Sequence, residues 1–429
     1  MKSLLPCSYT NHSINYKNGF VTTCPQTSEE IFYRDGSLPS EFINSEGFKK
    51  NRLQLINGQW PDGCRLCKHA ERDGLPSMRY DRPEWYDESL VNTETGEVAL
   101  EAIKHIELKY NNSCNMACLH CDSVFSSQWE SRLKRYQPTR QDKLMYQEQL
   151  LKQRHGQELN STGERGNSRL KITMDETKLI IQDLIDNFPN LERYDCSGGE
   201  PLKQKEFWYS IEALLDHPNR DNLEIFFYTN FNADFDVDRL NNILSQYKHV
   251  TMNISVDAGT NIYSYFRDGS WDTLLNNINR YRATNNNTTM KAVVTYSVFQ
   301  LMDIYNVMTS VCSLPVDLID AAPVHVPPYL NPALAMHKFE FFVAEELDKT
   351  REALENLDRE KDFKRFAIRA LDQIEDYVYQ YKPEKPDVFW EQFLHYRKTI
   401  DKLFKKDFNE AFSNYQYDEH DRIIRVKGL

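Results

Sequence analysis

The residues of this chain best suited to chemistry are its cysteines. The segment HIELKYNNSCNMACLHCD (105–122) sets Cys114, Cys118 and Cys121 in the spacing C-x3-C-x2-C. Three thiolates from one tight loop can hold three irons of a [4Fe–4S] cube and leave the fourth iron without a protein ligand. Such an open iron can chelate a substrate or cofactor, as the open position of a catalytic zinc does. A zinc site completed by His120 is the competing reading. His120 lies between two of the ligands inside the C-x2-C turn, an awkward place for joint coordination. A second set stands near the amino terminus. Cys7, Gly19 and Cys24 form C-x11-G-x4-C, and GCRLC adds Cys64 and Cys67 as C-x2-C. Four thiolates in two pairs complete either a four-cysteine zinc site or a [4Fe–4S] cluster, and by spacing alone zinc is the default.

The remaining cysteines are Cys196 and Cys312, giving nine in all, and seven of the nine fall within the first 121 residues. The opening MKSLLPCSYTNHS lacks the ~7–15-residue apolar stretch of a secretory signal, so a cytoplasmic protein is expected, with its thiols serving metals and not disulfides. No apolar run approaches the ~18 residues that a membrane span needs. The net charge of −12 and pI near 5.5 argue against broad nucleic-acid binding. Forty per cent hydrophobic and 12% aromatic residues are too many for a disordered chain.

The elements that must position these cysteines fall into three regions. Residues 1–98 read as an irregular, cysteine-rich stretch of the kind a bound metal organises. Residues 99–334 read as strands alternating with helices. The strand runs are 105–111, 192–198, 223–230, 250–256, 290–298 and 316–324, and amphipathic helices over 177–188 and 271–281 lie between them. This alternation predicts an α/β fold, a partial (β/α)6 TIM-type barrel, with an amino-terminal cluster domain and a carboxyl-terminal helical extension. The polar stretch 125–172 is too long for a βα connection and reads as an insertion at the barrel mouth. Residues 335–429 read as continuous helix. Apolar tracks run from Phe363 to Tyr381 and from Phe389 to Leu403, broken at KPEKPD (382–387), and their expected use is packing on the barrel.

The cluster loop follows the first of these strands directly, at the carboxyl end where β/α folds place their sites. The second strand ends in CSGGEPL and the fourth in NISVDAGTNIYSYFRDGSW. Together these three motifs resemble the radical SAM superfamily over about residues 102–330. The resemblance implies that Gly198, Gly199, Glu200 and Pro201 hold the amino group of S-adenosylmethionine. It further implies that Ser255, Asp257 and Arg267 meet its ribose and carboxylate, and that Val298 meets its adenine. Asn230 and His120 are the other expected cofactor-side residues. Arg267 reads equally as a surface residue capping the next helix. The amino-terminal cysteines resemble the twitch half of SPASM domains, here placed ahead of the core, which implies an auxiliary [4Fe–4S] cluster.

Glu107 and Lys109 share one face of the first strand and are candidates for chemistry in the barrel or for one buried ion pair. Asp257 and Cys196 complete the catalytic candidates, although Cys196 also reads as a buried structural thiol, and Cys312 as packing. The implied activity is reductive cleavage of S-adenosylmethionine to a 5′-deoxyadenosyl radical that takes a hydrogen atom from a substrate. The electron would come from a low-potential donor such as flavodoxin or ferredoxin. Oxidative modification of a peptide is the first expectation. Dehydrogenation or rearrangement of a small sugar, alcohol or nucleoside is the alternative, followed by a zinc-binding α/β-barrel hydrolase or a non-catalytic electron-transfer protein.

Overall fold

The computed structural model describes residues 7–17, 20–25, 31–32, 38–72, 77–123, 125–135, 171–260, 262–284, 287–325, 327–412, 415–417 and 423–425. Gly19 and the DKLMYQEQLLKQ and NSTGERGNS parts of the expected insertion lie outside these residues. The chain divides into two compact units. The first holds residues 1–112, 154–228 and 238–251, and the second holds 113–153, 229–237 and 252–429.

In the first unit the sheet runs in the order β3 (Ile31–Phe32), β2 (Phe20–Thr22), β1 (Ser13–Lys17), β4 (His105–Lys109), β5 (Arg193–Cys196), β6 (Glu224–Thr229), then the first residues of β7 (His249–Ser255). The β1–β4, β4–β5 and β5–β6 ladders are parallel, and the β1–β2–β3 ribbon is antiparallel. Ile106 and Leu108 are fully buried on one face of β4, leaving His105, Glu107 and Lys109 to the other, as the two-residue period of a strand requires. The Met174–Asn187 helix crosses from β4 to β5. Its Thr173–Glu176 capping box satisfies backbone donors at both positions, and Ile180, Ile181 and Leu184 are buried. The buried Tyr110 hydroxyl hydrogen-bonds both the Tyr194 hydroxyl and Ser210 Oγ, so these three polar tips satisfy one another within the core.

The second unit carries the rest of β7, then β8 (Thr288–Tyr296) and β9 (Leu318–Pro323), with the β8–β9 ladder parallel. Every second residue of β8 from Thr288 to Tyr296 is buried, again at period two. From β4 to β9 each strand is followed by helix, so the chain is α/β as its sequence predicts.

Two regions depart from expectation. Residues 1–98 are more regular than their composition suggests. They contain β1–β3 and the helices Ser8–His12, Glu46–Ile56 and Arg65–Arg72, and β1 extends the parallel sheet by pairing with β4 from Ser13↔His105 to Lys17↔Lys109. The strand SINYK alternates polar and apolar residues over only five positions, too short a run for the period to stand out. The carboxyl-terminal region holds the helices Ala333–Glu355, Lys361–Gln380 and Pro386–Phe404, but it does not stay helical. Lys405 turns left-handed at φ 53° to end the last long helix, and an antiparallel strand pair, β10 (Tyr415–Tyr417) with β11 (Ile423–Arg425), follows.

Candidate functional site

The cluster loop belongs to the second unit. Its carbonyls are held by side chains from two helical segments. Ser126 Oγ donates to the Met116 carbonyl (2.6 Å) and Trp129 Nε1 to that of Cys118 (2.8 Å), both from around the start of the Ser127–Arg135 helix. The Tyr396 hydroxyl, from the Pro386–Phe404 helix, donates to the Leu119 carbonyl, and the Leu119 amide donates to the Phe266 carbonyl (2.9 Å). Phe404 packs edge-on against Trp129 (5.0 Å), and Lys406 donates to the Ser264 and Tyr265 carbonyls and pairs with Asp268 (3.1 Å). The carboxyl-terminal helices of this unit thus back the loop directly. Tyr396→Phe leaves the buried Leu119 carbonyl unpaired and should cost about 1–3 kcal/mol. The cost would appear as a lower urea midpoint at unchanged m-value.

The thiols stand among donors suited to a metal centre. Asn230, 5% exposed just beyond β6, donates to Asn115 Oδ1 (2.9 Å) and reaches Cys114 Sγ (3.8 Å). Cys118 Sγ contacts the Arg267 carbonyl (3.4 Å). Burial pushes the Cys118 thiol up to about 12 and Cys121 well above the ordinary thiol range. A bound cation reverses that preference, because a coordinating thiol is deprotonated outright. Among the described residues no three His, Cys, Asp or Glu side chains are already set in a metal-holding arrangement. The fit of this loop therefore rests on its donors: three thiols within eight residues, none of them in a disulfide.

His120 stacks on Phe266 (5.3 Å between centroids), with Nε2 3.6 Å from Asp257 Oδ2. Its buried Nδ1 has no partner among the described residues. Burial lowers its pKa, partly opposed by Asp257. Asp257 is fully buried in a left-handed conformation (φ 54°), just past β7. Its Oδ2 accepts from Arg267 Nη1 (2.5 Å), its Oδ1 from the Thr295 amide (2.7 Å), and its carbonyl from Gln300 Nε2 (2.7 Å). Arg267 is 4% exposed and in this pair its Nε alone lacks a partner among the described residues. Ser255 is half-buried at the end of β7. Val298 is fully buried, but β8 stops at Tyr296. Val298 opens the Val298–Leu301 helix, because Ser297 caps it by accepting from the Phe299 amide (3.2 Å).

In the first unit, β5 ends at Cys196 and the chain turns through Gly198 (φ 82°) and Gly199 (φ 63°), both in the region that glycine alone enters freely. Glu200 is fully buried and caps the next turn, its Oε1 accepting from the Leu202 amide (3.1 Å), with Pro201 opening that turn. Lys109 Nζ lies 3.2 Å from Glu107 Oε1, which also accepts from Ser197 Oγ (2.6 Å). Cys196 is fully buried and its thiol is pushed well up by burial; Cys312, in the Ile304–Ser313 helix, is pushed up to about 12 for the same reason.

All four amino-terminal cysteines line one small pocket, shared with Tyr9, Met78 and Arg79. Cys7 and Cys67 are buried, and Cys24 and Cys64 half-buried. Two pairs 40 residues apart in the chain thus line one pocket, although the four thiols are not already set in a metal-holding arrangement. Sequence reasoning gave Tyr396 only a place on the second apolar helical track and did not single out Trp129, Ser197 or Asn15. Each acts through contacts far away in the chain or through a common residue type, and no spacing signals them.

No protein-family model matches this chain, and no curated protein matches it. Among solved structures it is similar to SuiB from Streptococcus suis bound to S-adenosylmethionine, at 13% identity and a TM-score of 0.33 over 57% of this chain and 48% of that one. It is also similar to native anSMEcpe with bound AdoMet, at 11% identity and a TM-score of 0.36 over 58% and 65%. A structure of anSMEcpe with AdoMet and the Cp18Cys peptide gives 13%, 0.35, 59% and 61%. This chain spans about half the length of SuiB and less than two thirds of anSMEcpe.

Proposed function

We propose that this chain is a radical SAM enzyme. One observation supports this reading above the rest. The cluster loop, Gly198–Gly199–Glu200–Pro201 and Asp257 each follow the carboxyl end of their own strand, respectively β4, β5 and β7. That is where β/α proteins bind ligands. Cys114, Cys118 and Cys121 would hold a [4Fe–4S] cluster, whose chemistry would be the one-electron reduction of S-adenosylmethionine to methionine and a 5′-deoxyadenosyl radical.

The protein's own part is orientation and exclusion of water. The glycine turn lets the backbone approach the amino group, and Glu200 opposes its charge. Asp257 holds Arg267 in place, so that the guanidinium meets a carboxylate from a fixed position. Val298 and Phe299 supply an apolar wall for the adenine. Glu107, Lys109 and Ser197 form the polar cluster that would meet the substrate.

For the substrate we propose a peptide, supported by the charged sequence of the stretch 125–172 and by the carboxyl-terminal helices, which would recruit a leader segment. The four amino-terminal thiols would hold an auxiliary [4Fe–4S] centre. Anaerobically reconstituted protein, reduced with dithionite and given S-adenosylmethionine, should release 5′-deoxyadenosine and carry about eight irons per chain. Zinc alone, or no release from fully loaded protein, overturns the reading.

A further inference from the structure

The peptide of Cys24 is held from two sides by strand side chains of the first unit. Thr22 Oγ1 donates to the Cys24 carbonyl (3.0 Å). Asn15, fully buried in β1, makes the other contact. With its amide oriented to satisfy both ends, Oδ1 accepts from the Cys24 amide (3.2 Å) and from Ser13 Oγ (2.9 Å), while Nδ2 donates to Glu107 Oε2 (3.1 Å). Glu107 Oε1 in turn takes Ser197 Oγ and lies beside Lys109 Nζ. Ser197 directly precedes the glycine turn.

The contact follows from the sheet. In the parallel β1–β4 ladder Asn15 is the Cα partner of Glu107, so their side chains leave the same face side by side. Cys24, Asn15, Glu107 and Ser197 therefore form one hydrogen-bonded run from the four-cysteine cavity to the Gly198–Gly199 turn. Glu107 is 5% exposed, so little water screens its charge.

We propose that Asn15 and Glu107 are positioning residues that couple the four-cysteine centre to the polar cluster behind the glycine turn. The assignment rests on the iron–sulfur reading of that centre. Two effects act together. The Glu107 carboxylate stabilises the more positive, oxidised state of a nearby redox centre and so lowers its potential. Asn15 draws the Cys24 amide toward its own oxygen, withholding a hydrogen bond that a cluster sulfur would otherwise receive; such bonds are among the features that set cluster potentials. Lys109 beside Glu107 offsets part of the carboxylate's charge.

The test is an EPR redox titration of the full chain in a Cys118→Ala background, which leaves the amino-terminal centre as the source of signal. Glu107→Gln, of the same shape without the charge, should shift the midpoint potential upward. Glu107→Asp should restore it toward the starting value, which loss of packing alone would not do. Asn15→Leu should also shift it upward, by freeing the Cys24 amide. An iron–sulfur signal whose potential Glu107→Gln leaves unchanged overturns the coupling and leaves the proposed function standing. Zinc found at the four cysteines overturns both the auxiliary-cluster reading and the coupling.

Discussion

Cys118→Ala should reduce reductive cleavage of S-adenosylmethionine to the level of protein without cluster. Cys118 is the middle ligand of the loop and 7% exposed, with its carbonyl fixed by Trp129 and its sulfur against the Arg267 carbonyl. Among the described residues no neighbouring side chain is placed to substitute for it. His120, two residues on, is stacked on Phe266 with Nε2 toward Asp257. Two remaining thiolates cannot hold a cube with a single open iron, so iron should fall from about eight to about four per chain. The matched control is Cys312→Ala. That thiol is 1% exposed in a helix, and its loss should cost about 1–2 kcal/mol of stability by leaving a small cavity, with cleavage intact. Iron analysis and chromatography of 5′-deoxyadenosine check both variants. Cleavage that survives Cys118→Ala would refute the ligand assignment.

The legible parts of this protein were those governed by local period. The strands from β4 to β9 lie within about two residues of their predicted bounds, because alternation and apolar runs are properties of short windows. Val298 illustrates the limit: a serine cap immediately after the last β8 position turns the chain into helix, a boundary that β-rich composition hides. The strand β1 was hidden for a different reason. Its polar residues Ser13 and Asn15 belong there because His105 and Glu107, some 92 residues later, bind them. That dependence exists only after the parallel pairing forms. The Asp257–Arg267 pair was half legible, since both residues stood out as ligand contacts while their attachment to each other did not. The part played by Tyr396 was wholly illegible, the residue being one aromatic among several on an amphipathic helix until its hydroxyl meets the Leu119 carbonyl.

Cys64→Ala should separate the two cysteine sets. Cys64 lines the amino-terminal cavity with Cys7, Cys24 and Cys67, and none of these four belongs to the unit that holds the cluster loop. Removing it leaves three thiolates, so the amino-terminal centre should be lost and iron should again fall from about eight to about four per chain. Cleavage of S-adenosylmethionine should persist, because Cys114, Cys118 and Cys121 are untouched. Formation of the substrate-derived product should stop, because a centre ligated wholly by protein has no open iron for substrate and fits electron transfer. A purely structural centre predicts a different pattern: thermal stability falls steeply, since metal binding is folding energy for a segment with little core of its own, and cleavage falls with it. The core around this cavity is small, formed by Cys7, Tyr9, Leu55 and Trp85 with Cys24 and Met78 against it. A lower melting temperature is therefore expected in either case, and product formation measured well below the melting transition is the readout that distinguishes them: it stops if the centre carries electrons and persists if the centre is only structural. Unchanged iron in Cys64→Ala, or zinc in place of the lost iron, would remove the amino-terminal cluster from the proposal and leave the catalytic loop as the sole iron–sulfur site.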